Sequence, residues 1–199
     1  MEAIILAGGQ GTRLREAVPD VPKAMVSVAG RPFLEYILDY LIQYKISRVI
    51  VSVGYLKEQI IDYFKDSYRG LKISYAIEDE PLGTGGGIKL AMSLVTKDQA
   101  FVVNGDTLFK VNLHYMFEKF IHSNHEACLA LKKLGDTGRY GTVEFDNNLN
   151  IRSFKEKKLP SSEGFINGGI YLLNKEFFLS HRELRWASST SRSSKAHLG

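Results

Sequence analysis

What this chain has little of narrows it first. Its single cysteine, Cys128, makes an intrachain disulfide impossible and rules out thiolate zinc sites. No apolar run approaches membrane-spanning length. The first such run, Ala3 to Ala7, stops at glycines and lacks the basic start and long apolar stretch of a secretion signal. Together these absences predict a soluble protein of a reducing cytoplasm with no membrane partner. A basic block is also missing, because 26 Lys and Arg against 22 Asp and Glu are scattered along the chain for a formal charge of +4. Nucleic-acid binding needs clustered cations, so no nucleic-acid partner is expected. A mild basic balance suits phosphate-rich small molecules and equally a solvated surface. No internal repeat is visible.

What is present describes one globular domain. With 199 residues, 44% hydrophobic and 24% charged, the chain is long enough to bury a sizeable core. Ala3 to Ala7 reads as a strand buried on both faces. Phe33, Ile37, Tyr40, Leu41 and Tyr44 repeat at helical spacing after Pro32, and Arg48 to Val53 reads as a second strand. A helix near Lys57 to Lys65, a strand from Lys72 to Ile77, a helix from Gly86 to Leu94 and a buried strand from Ala100 to Val103 follow. This alternation predicts an α/β fold, a mixed, mainly parallel sheet with helices on both faces. From about Glu126 the pattern turns strand-rich: Ala127 to Leu131, Gly141 to Phe145, Ile151 to Phe154 and Ile166 to Leu173, with Asp146-Asn147-Asn148 as a turn. Residues 180–199, rich in serine and scattered arginine without apolar periodicity, read as an atypical tail, disordered or foreign to the fold.

The first candidate site is the loop Ala7-Gly8-Gly9-Gln10-Gly11-Thr12-Arg13. A glycine-rich turn after a buried strand brings backbone N–H groups close to phosphate oxygens. Thr12 adds a hydroxyl, while Arg13 and Lys23 supply charge for a triphosphate or a leaving pyrophosphate. Two other phosphate loops are absent. No Gly-x-x-x-x-Gly-Lys-Ser/Thr string occurs, and the loop runs through Pro19 and Pro22 instead of leading directly into a helix as a dinucleotide loop does. A nicotinamide oxidoreductase is thereby disfavoured.

Leu6-Ala7-Gly8-Gly9-Gln10-Gly11-Thr12-Arg13-Leu14-Arg15 with Val21-Pro22-Lys23-Ala24-Met25 resembles the signature of the sugar-1-phosphate nucleotidyltransferases. That family usually has proline where this chain has Ala24. The resemblance runs from Met1 to about Phe178 through Leu82-Gly83-Thr84-Gly85-Gly86-Gly87, Asn104-Gly105-Asp106, Glu156-Lys157 and Asn167-Gly168-Gly169. It implies a Rossmann-like nucleotide-diphospho-sugar transferase fold over residues 1–179, with a nucleotide-binding half at 1–125 and a sugar-acceptor half at 126–179. Within the family, the Leu-Gly-Thr segment and the spacing from Phe-Lys-Glu-Lys to Ile-Asn-Gly-Gly-Ile-Tyr are most similar to heptose 1-phosphate guanylyltransferases of surface-polysaccharide pathways. Mannose 1-phosphate guanylyltransferases and N-acetylmuramate 1-phosphate uridylyltransferases are rival readings.

The resemblance also implies roles. Arg13 and Lys23 would be catalytic, and Leu6, Ala7, Gly8, Gly9, Gly11 and Thr12 would hold the nucleoside triphosphate, with Gly83 and Thr84 reading its base. Asn104, Gly141, Glu156, Lys157 and Asn167 would bind the sugar 1-phosphate. Asp106, following a buried strand, would hold Mg²⁺. The family's second metal aspartate has no counterpart in residues 180–199, which keeps open a nucleotide-binding homologue without turnover. A homodimer is the family-level expectation. The short Lys155-Glu156-Lys157-Lys158 run also fits a solvated patch. His122 and His125, without other nearby candidate ligands, read as structural or surface residues.

Overall fold

The computed structural model describes residues 1–9, 20–123, 125–156 and 163–180, and the backbone of residues 194–195. At its centre, β1 (Glu2–Leu6) lies parallel to β4 (Arg48–Val53) on one side and to β7 (Gln99–Asn104) on the other. All three strands are apolar because they are covered on both faces. Ala3 and Ile5 face one core and Ile4 the other, and all three are fully buried. Beyond β4 come β6 (Leu71–Ile77), parallel, and the two-residue β5 (Ser67–Tyr68), antiparallel.

Helices cover both faces, as the alternating pattern predicts. On one side pack α1 (Phe33–Gln43), α2 (Lys57–Phe64) and α4 (Leu113–Ile121). On the other pack α3 (Gly83–Ser93) and α5 (Lys175–Ser180). Helix α1 buries Leu34, Ile37, Leu38 and Leu41, the i, i+3, i+4, i+7 stripe of an amphipathic helix. Helix α4 starts where the Asn112 side chain accepts a hydrogen bond from the Tyr115 amide at 3.0 Å. The start of α3 departs from expectation: it begins at Gly83, three residues before the predicted Gly86. Glycine costs about 1 kcal/mol relative to alanine inside a helix, and the burial of Ile88, Ala91 and Met92 against the sheet outweighs it here.

The strand-rich half joins the same sheet. β11 (Gly164–Asn174) runs antiparallel to β7, to β8 (Ala127–Leu134) and, through Ile166 and Thr142, to β9 (Thr142–Phe145). β10 (Asn150–Lys155) pairs with β9 and with the short β12 (Ser194–Lys195). The order is thus β12-β10-β9-β11-β7-β1-β4-β6-β5, with β8 on β11. Residues 181–193 and 196–199 lie outside the described residues. Two-residue strands β2 (Ser27–Val28) and β3 (Arg31–Pro32) form a separate hairpin before α1. Arg31 ties it down by donating from Nε to Glu35 and from Nη2 to Asp39, each at 2.7 Å. Burial pushes the Glu35 carboxyl up, but hydrogen bonds from Tyr63, Arg31 and Tyr68 outweigh it and leave Glu35 below its ordinary value.

The β9–β10 turn is built on Asp146. Its carboxylate accepts N–H donors from Asn148 at 2.9 Å and Asn150 at 2.8 Å and the Arg152 guanidinium at 2.6 Å. Hydrogen bonds from Asn150, then Asn148 and Arg152, hold its pKa down at about 2. Because the folded value lies below the unfolded one, this contribution is complete above the unfolded pKa and is lost as pH falls through the folded one. Asp146→Asn is therefore expected to lower Tm at pH 6, with the gap from wild type narrowing steadily between pH 5 and pH 3. A gap independent of pH over that range would contradict the assignment.

Candidate active site

Parallel strands place their carboxyl ends on one edge of the sheet, where open α/β sheets hold ligands. There a cleft of about 400 Å³ opens, lined by Leu6, Ala7, Gly8 and Gly9 after β1, by Ser52, and by Asn104, Gly105 and Asp106 after β7. Lys23, Ala24, Glu78, Pro81 and the start of α3, with Gly83, Thr84 and Gly87, complete the lining. Nine residues singled out in the sequence meet here: Leu6, Ala7, Gly8, Gly9, Lys23, Gly83, Thr84, Asn104 and Asp106. Gly11, Thr12, Arg13 and Lys157 lie outside the described residues.

Lys23 reaches the cleft from a 3₁₀ turn, Lys23–Met25, anchored by burial of Ala24 and by the Pro22 carbonyl accepting the Met25 amide at 2.8 Å. Proline at the family's position would offer the same apolar plug, so Ala24 keeps the turn's anchor. The Lys23 ammonium lies 3.2 Å from Asp106 Oδ2, with side-chain exposures of 36% and 45%. A pair this exposed is worth about 0–1 kcal/mol. It can therefore be exchanged at little cost for a phosphate on the lysine and a cation on the carboxylate.

Glu78 and Ser52 were not singled out from the sequence. Glu78 sits one residue past β6, and its Oε1 accepts the Ser52 hydroxyl at 2.7 Å while Oε2 accepts the Leu82 amide at 3.1 Å. The glycines around it have a steric reason. A Cβ on Gly8 would stand 2.6 Å from Glu78 Oε1, and one on Gly87 would stand 2.7 Å from the same atom. Two glycines from separate elements thus make room for one carboxylate. In the sequence, Glu78-Asp79-Glu80 has the look of a solvated acidic run. The only available signal is its position, four residues ahead of the amide of Leu82 that opens the glycine segment.

Of the described acceptor candidates, Gly141, Glu156 and Asn167 lie on or beside the adjacent strands and do not line this cleft. Gly141 immediately precedes β9 and Glu156 immediately follows β10, and pairing of Thr142 with Lys155 sets them side by side. A Cβ on Gly141 would lie 2.8 Å from the Lys155 carbonyl. Ile166 pairs with Thr142, which brings Asn167 to the same place. Asn104 bridges the two regions: it lines the cleft, and its Nδ2 would lie 2.8 Å from a Cβ on Gly169, a residue at φ +76°.

Among the described residues no group of three or more His, Cys, Asp or Glu side chains could hold a metal. Asp106 fits a hard cation that takes most of its oxygens from phosphate and water, because its carboxylate is half exposed, and the Lys23 ammonium is the charge such a cation would displace. No described helix is long and apolar enough to cross a membrane.

Comparison with known proteins agrees with this geometry. The family model described as "Nucleotidyl transferase" matches residues 2–196, extending past Phe178, where the recognised motifs end. D-glycero-alpha-D-manno-heptose 1-phosphate guanylyltransferase of Campylobacter jejuni is 48% identical over 178 residues, covering 89% of this chain and 78% of that protein. The protein of the same name from Aneurinibacillus thermoaerophilus is also 48% identical, over 89% of this chain and 76% of its own. The crystal structure of HddC from Yersinia pseudotuberculosis complexed with GMP-PN superposes with a TM-score of 0.87 at 32% identity, covering 100% of this chain and 90% of that one. From its central β1–β4–β7 edge to its match over nearly its whole length, this chain belongs to the nucleotidyl transferase family.

Proposed function

We propose that this protein transfers a guanylyl group from GTP to D-glycero-α-D-manno-heptose 1-phosphate, releasing pyrophosphate, as a step toward surface polysaccharide. The observation that carries the base assignment is the Glu78 carboxylate in the cleft beside the helix-opening glycines. Ionised, it has about four lone-pair sites, of which Ser52 and Leu82 use two. The other two match the N1–H and N2–H donors of guanine, whereas uracil and thymine present one N–H and adenine presents an acceptor at N1. The heptose is favoured because two relatives at 48% identity carry that substrate in their names.

The reaction is an in-line displacement. A phosphate oxygen of the sugar 1-phosphate attacks the α-phosphorus of GTP, the new P–O bond forms as the bond to the β-phosphate oxygen breaks, and pyrophosphate leaves with that electron pair. The nucleophile is already anionic at neutral pH, so the protein needs no general base and no covalent intermediate. Positioning and charge neutralisation carry the rate. Gly8, Gly9 and Gly11 would cradle the triphosphate through backbone N–H groups, with the Thr12 hydroxyl beside them. The Ala7 amide is already donated to the Ser52 carbonyl at 2.9 Å, so Leu6 and Ala7 would wall the nucleotide, and Gly83 and Thr84 would hold the base near Glu78. Arg13 and Lys23 neutralise the charge that builds on the leaving pyrophosphate. Asp106 would hold Mg²⁺, which would supply further charge neutralisation when bound. Asn104, Gly141, Glu156, Lys157 and Asn167 take the sugar 1-phosphate, and the two halves of one domain, 1–125 and 126–179, divide the substrates.

Lys23→Ala is expected to cut pyrophosphate release at least about 100-fold. It should lower Tm by no more than about 4 °C, because the pair it removes is exposed. Unchanged turnover would sink the Lys23 assignment. Glu78→Gln exchanges one acceptor for a donor and should reduce discrimination between GTP and UTP, read as a kcat/KM ratio, by about tenfold or more. An unaltered ratio would remove the base-reading role. Gly87→Ala improves helix propensity while pushing into Glu78, so Tm should hold or rise as GTP affinity drops about tenfold, measured by calorimetry. Equal loss of both would indicate misfolding in place of displaced Glu78.

A further inference from the structure

We infer that Tyr171 is a positioning residue for the sugar acceptor, acting through a hydrogen bond that fixes the side chain of Asn167. The inference rests on the reading of Asn167 as an acceptor contact. It begins with a defect in the sheet. Along the β8–β11 ladder Asn167 pairs with Leu131, and pairing resumes with Tyr171 opposite Leu129. Four positions on β11 are therefore matched by two on β8, and Gly168 and Gly169 are displaced from the ladder as a bulge. Gly169, at φ +76°, takes a conformation open to glycine, and a Cβ on Gly168 would lie 2.2 Å from the Phe109 ring.

The bulge brings together two side chains that a regular strand would hold well apart. Asn167 Nδ2 donates to the Tyr171 hydroxyl at 2.7 Å, and Asn167 Oδ1 accepts the Gly169 amide at 2.8 Å. An exposed asparagine would ordinarily sample several rotamers, but both ends of this amide are anchored. Each end keeps further capacity, a second N–H on Nδ2 and a second lone pair on Oδ1, so the anchored group can still meet a sugar hydroxyl. The anchor itself is firm. Tyr171 packs against the core beneath α3 and α5 and also against the small cluster of Leu129, Leu131 and Val143 beneath the β9–β10 hairpin. Burial raises its phenol above the ordinary value, so the ring stays neutral at assay pH. A phenylalanine would fill the same space in both clusters, and only the hydroxyl reaches Asn167. The bulge also touches Asn104 through Gly169, so the atoms that would hold the sugar stand in register with those at the nucleotide end.

The test is calorimetric titration of D-glycero-α-D-manno-heptose 1-phosphate into wild type, Asn167→Ala, Tyr171→Phe and the double variant, each loaded with a non-hydrolysable GTP analogue. The analogue's own Kd is measured in parallel. Asn167→Ala and Tyr171→Phe should each weaken acceptor binding by roughly three- to tenfold, with the analogue's Kd held within about twofold. The double variant should bind no more weakly than Asn167→Ala alone, because Tyr171 acts through Asn167. Tyr171→Phe matching wild type while Asn167→Ala is weakened would overturn the positioning role and leave the Asn167 contact standing. Independent, additive losses, or an equal loss of analogue affinity in Tyr171→Phe, would likewise overturn it by showing a general structural role. If Asn167→Ala binds acceptor as wild type does, or wild type does not bind it at all, the acceptor reading fails and the positioning role with it.

Discussion

The cleft depends on the register of one strand. β1 is paired on both sides in parallel, so Leu6 stands opposite Ser52 of β4 and opposite Asn104 of β7. That row is the last rung of the buried sheet, and all three residues line the cleft. Burial of Ala3, Ile4 and Ile5 on both faces holds the register, because a slip of one residue would exchange the faces of every side chain in the strand. From that rung the chain leaves β1 through Gly8 and Gly9, and leaves β7 through Gly105 and Asp106. The glycine loop, the buried hydroxyl that orients Glu78 and the carboxylate that pairs with Lys23 therefore share one origin.

Charge in the cleft is arranged for exchange. Lys23 and Asp106 satisfy each other across a half-exposed gap, in a pair that costs little to part. Glu78 is held differently, by Ser52 beneath it and Leu82 beside it, in space left by Gly8 and Gly87. An exposed ion pair and a carboxylate fixed by two hydrogen bonds thus stand in one cleft. A third device is the glycine bulge of β11, which turns a strand joining both halves of the sheet into a mount for Asn167 and brings Gly169 close to Asn104 of β7.

The buried strands were legible because each is an apolar run with a glycine or polar stop: β1, β4 and β7 lie within a residue or two of where Ala3 to Ala7, Arg48 to Val53 and Ala100 to Val103 put them. The existence of α1 was equally plain, but of the residues read as its stripe Ile37, Tyr40 and Leu41 are buried, while Phe33 and Tyr44 are only partly covered and Leu34 and Leu38 complete the buried apolar face. The start of α3 was not legible, because Gly83 to Gly87 has poor helix propensity and the helix there is held by packing that only the folded sheet provides. Part of the cleft's lining could be read from Gly8, Gly9, Lys23 and Asp106, since glycines and charged residues that follow buried strands stand out in the sequence. Around α3 only Gly83 and Thr84 could be read, because Ser52 is one more strand residue and Glu78 one of three consecutive acidic positions until the fold sets them 2.7 Å apart. Tyr171 was hidden for the same reason, as an aromatic within an apolar strand whose hydroxyl acquires a partner only through a register shift.

Guanylyl transfer to a heptose 1-phosphate, the activity proposed for this cleft, is open to direct measurement. Pyrophosphate release in the presence of Mg²⁺, measured with GTP, UTP, CTP and dTTP against heptose, mannose and N-acetylmuramate 1-phosphates, tests it most directly. The account predicts that turnover is fastest with GTP and the heptose 1-phosphate and is lost when Mg²⁺ is chelated. Preference for another nucleotide or sugar, or tight nucleotide binding with no pyrophosphate released from any pair, would contradict it.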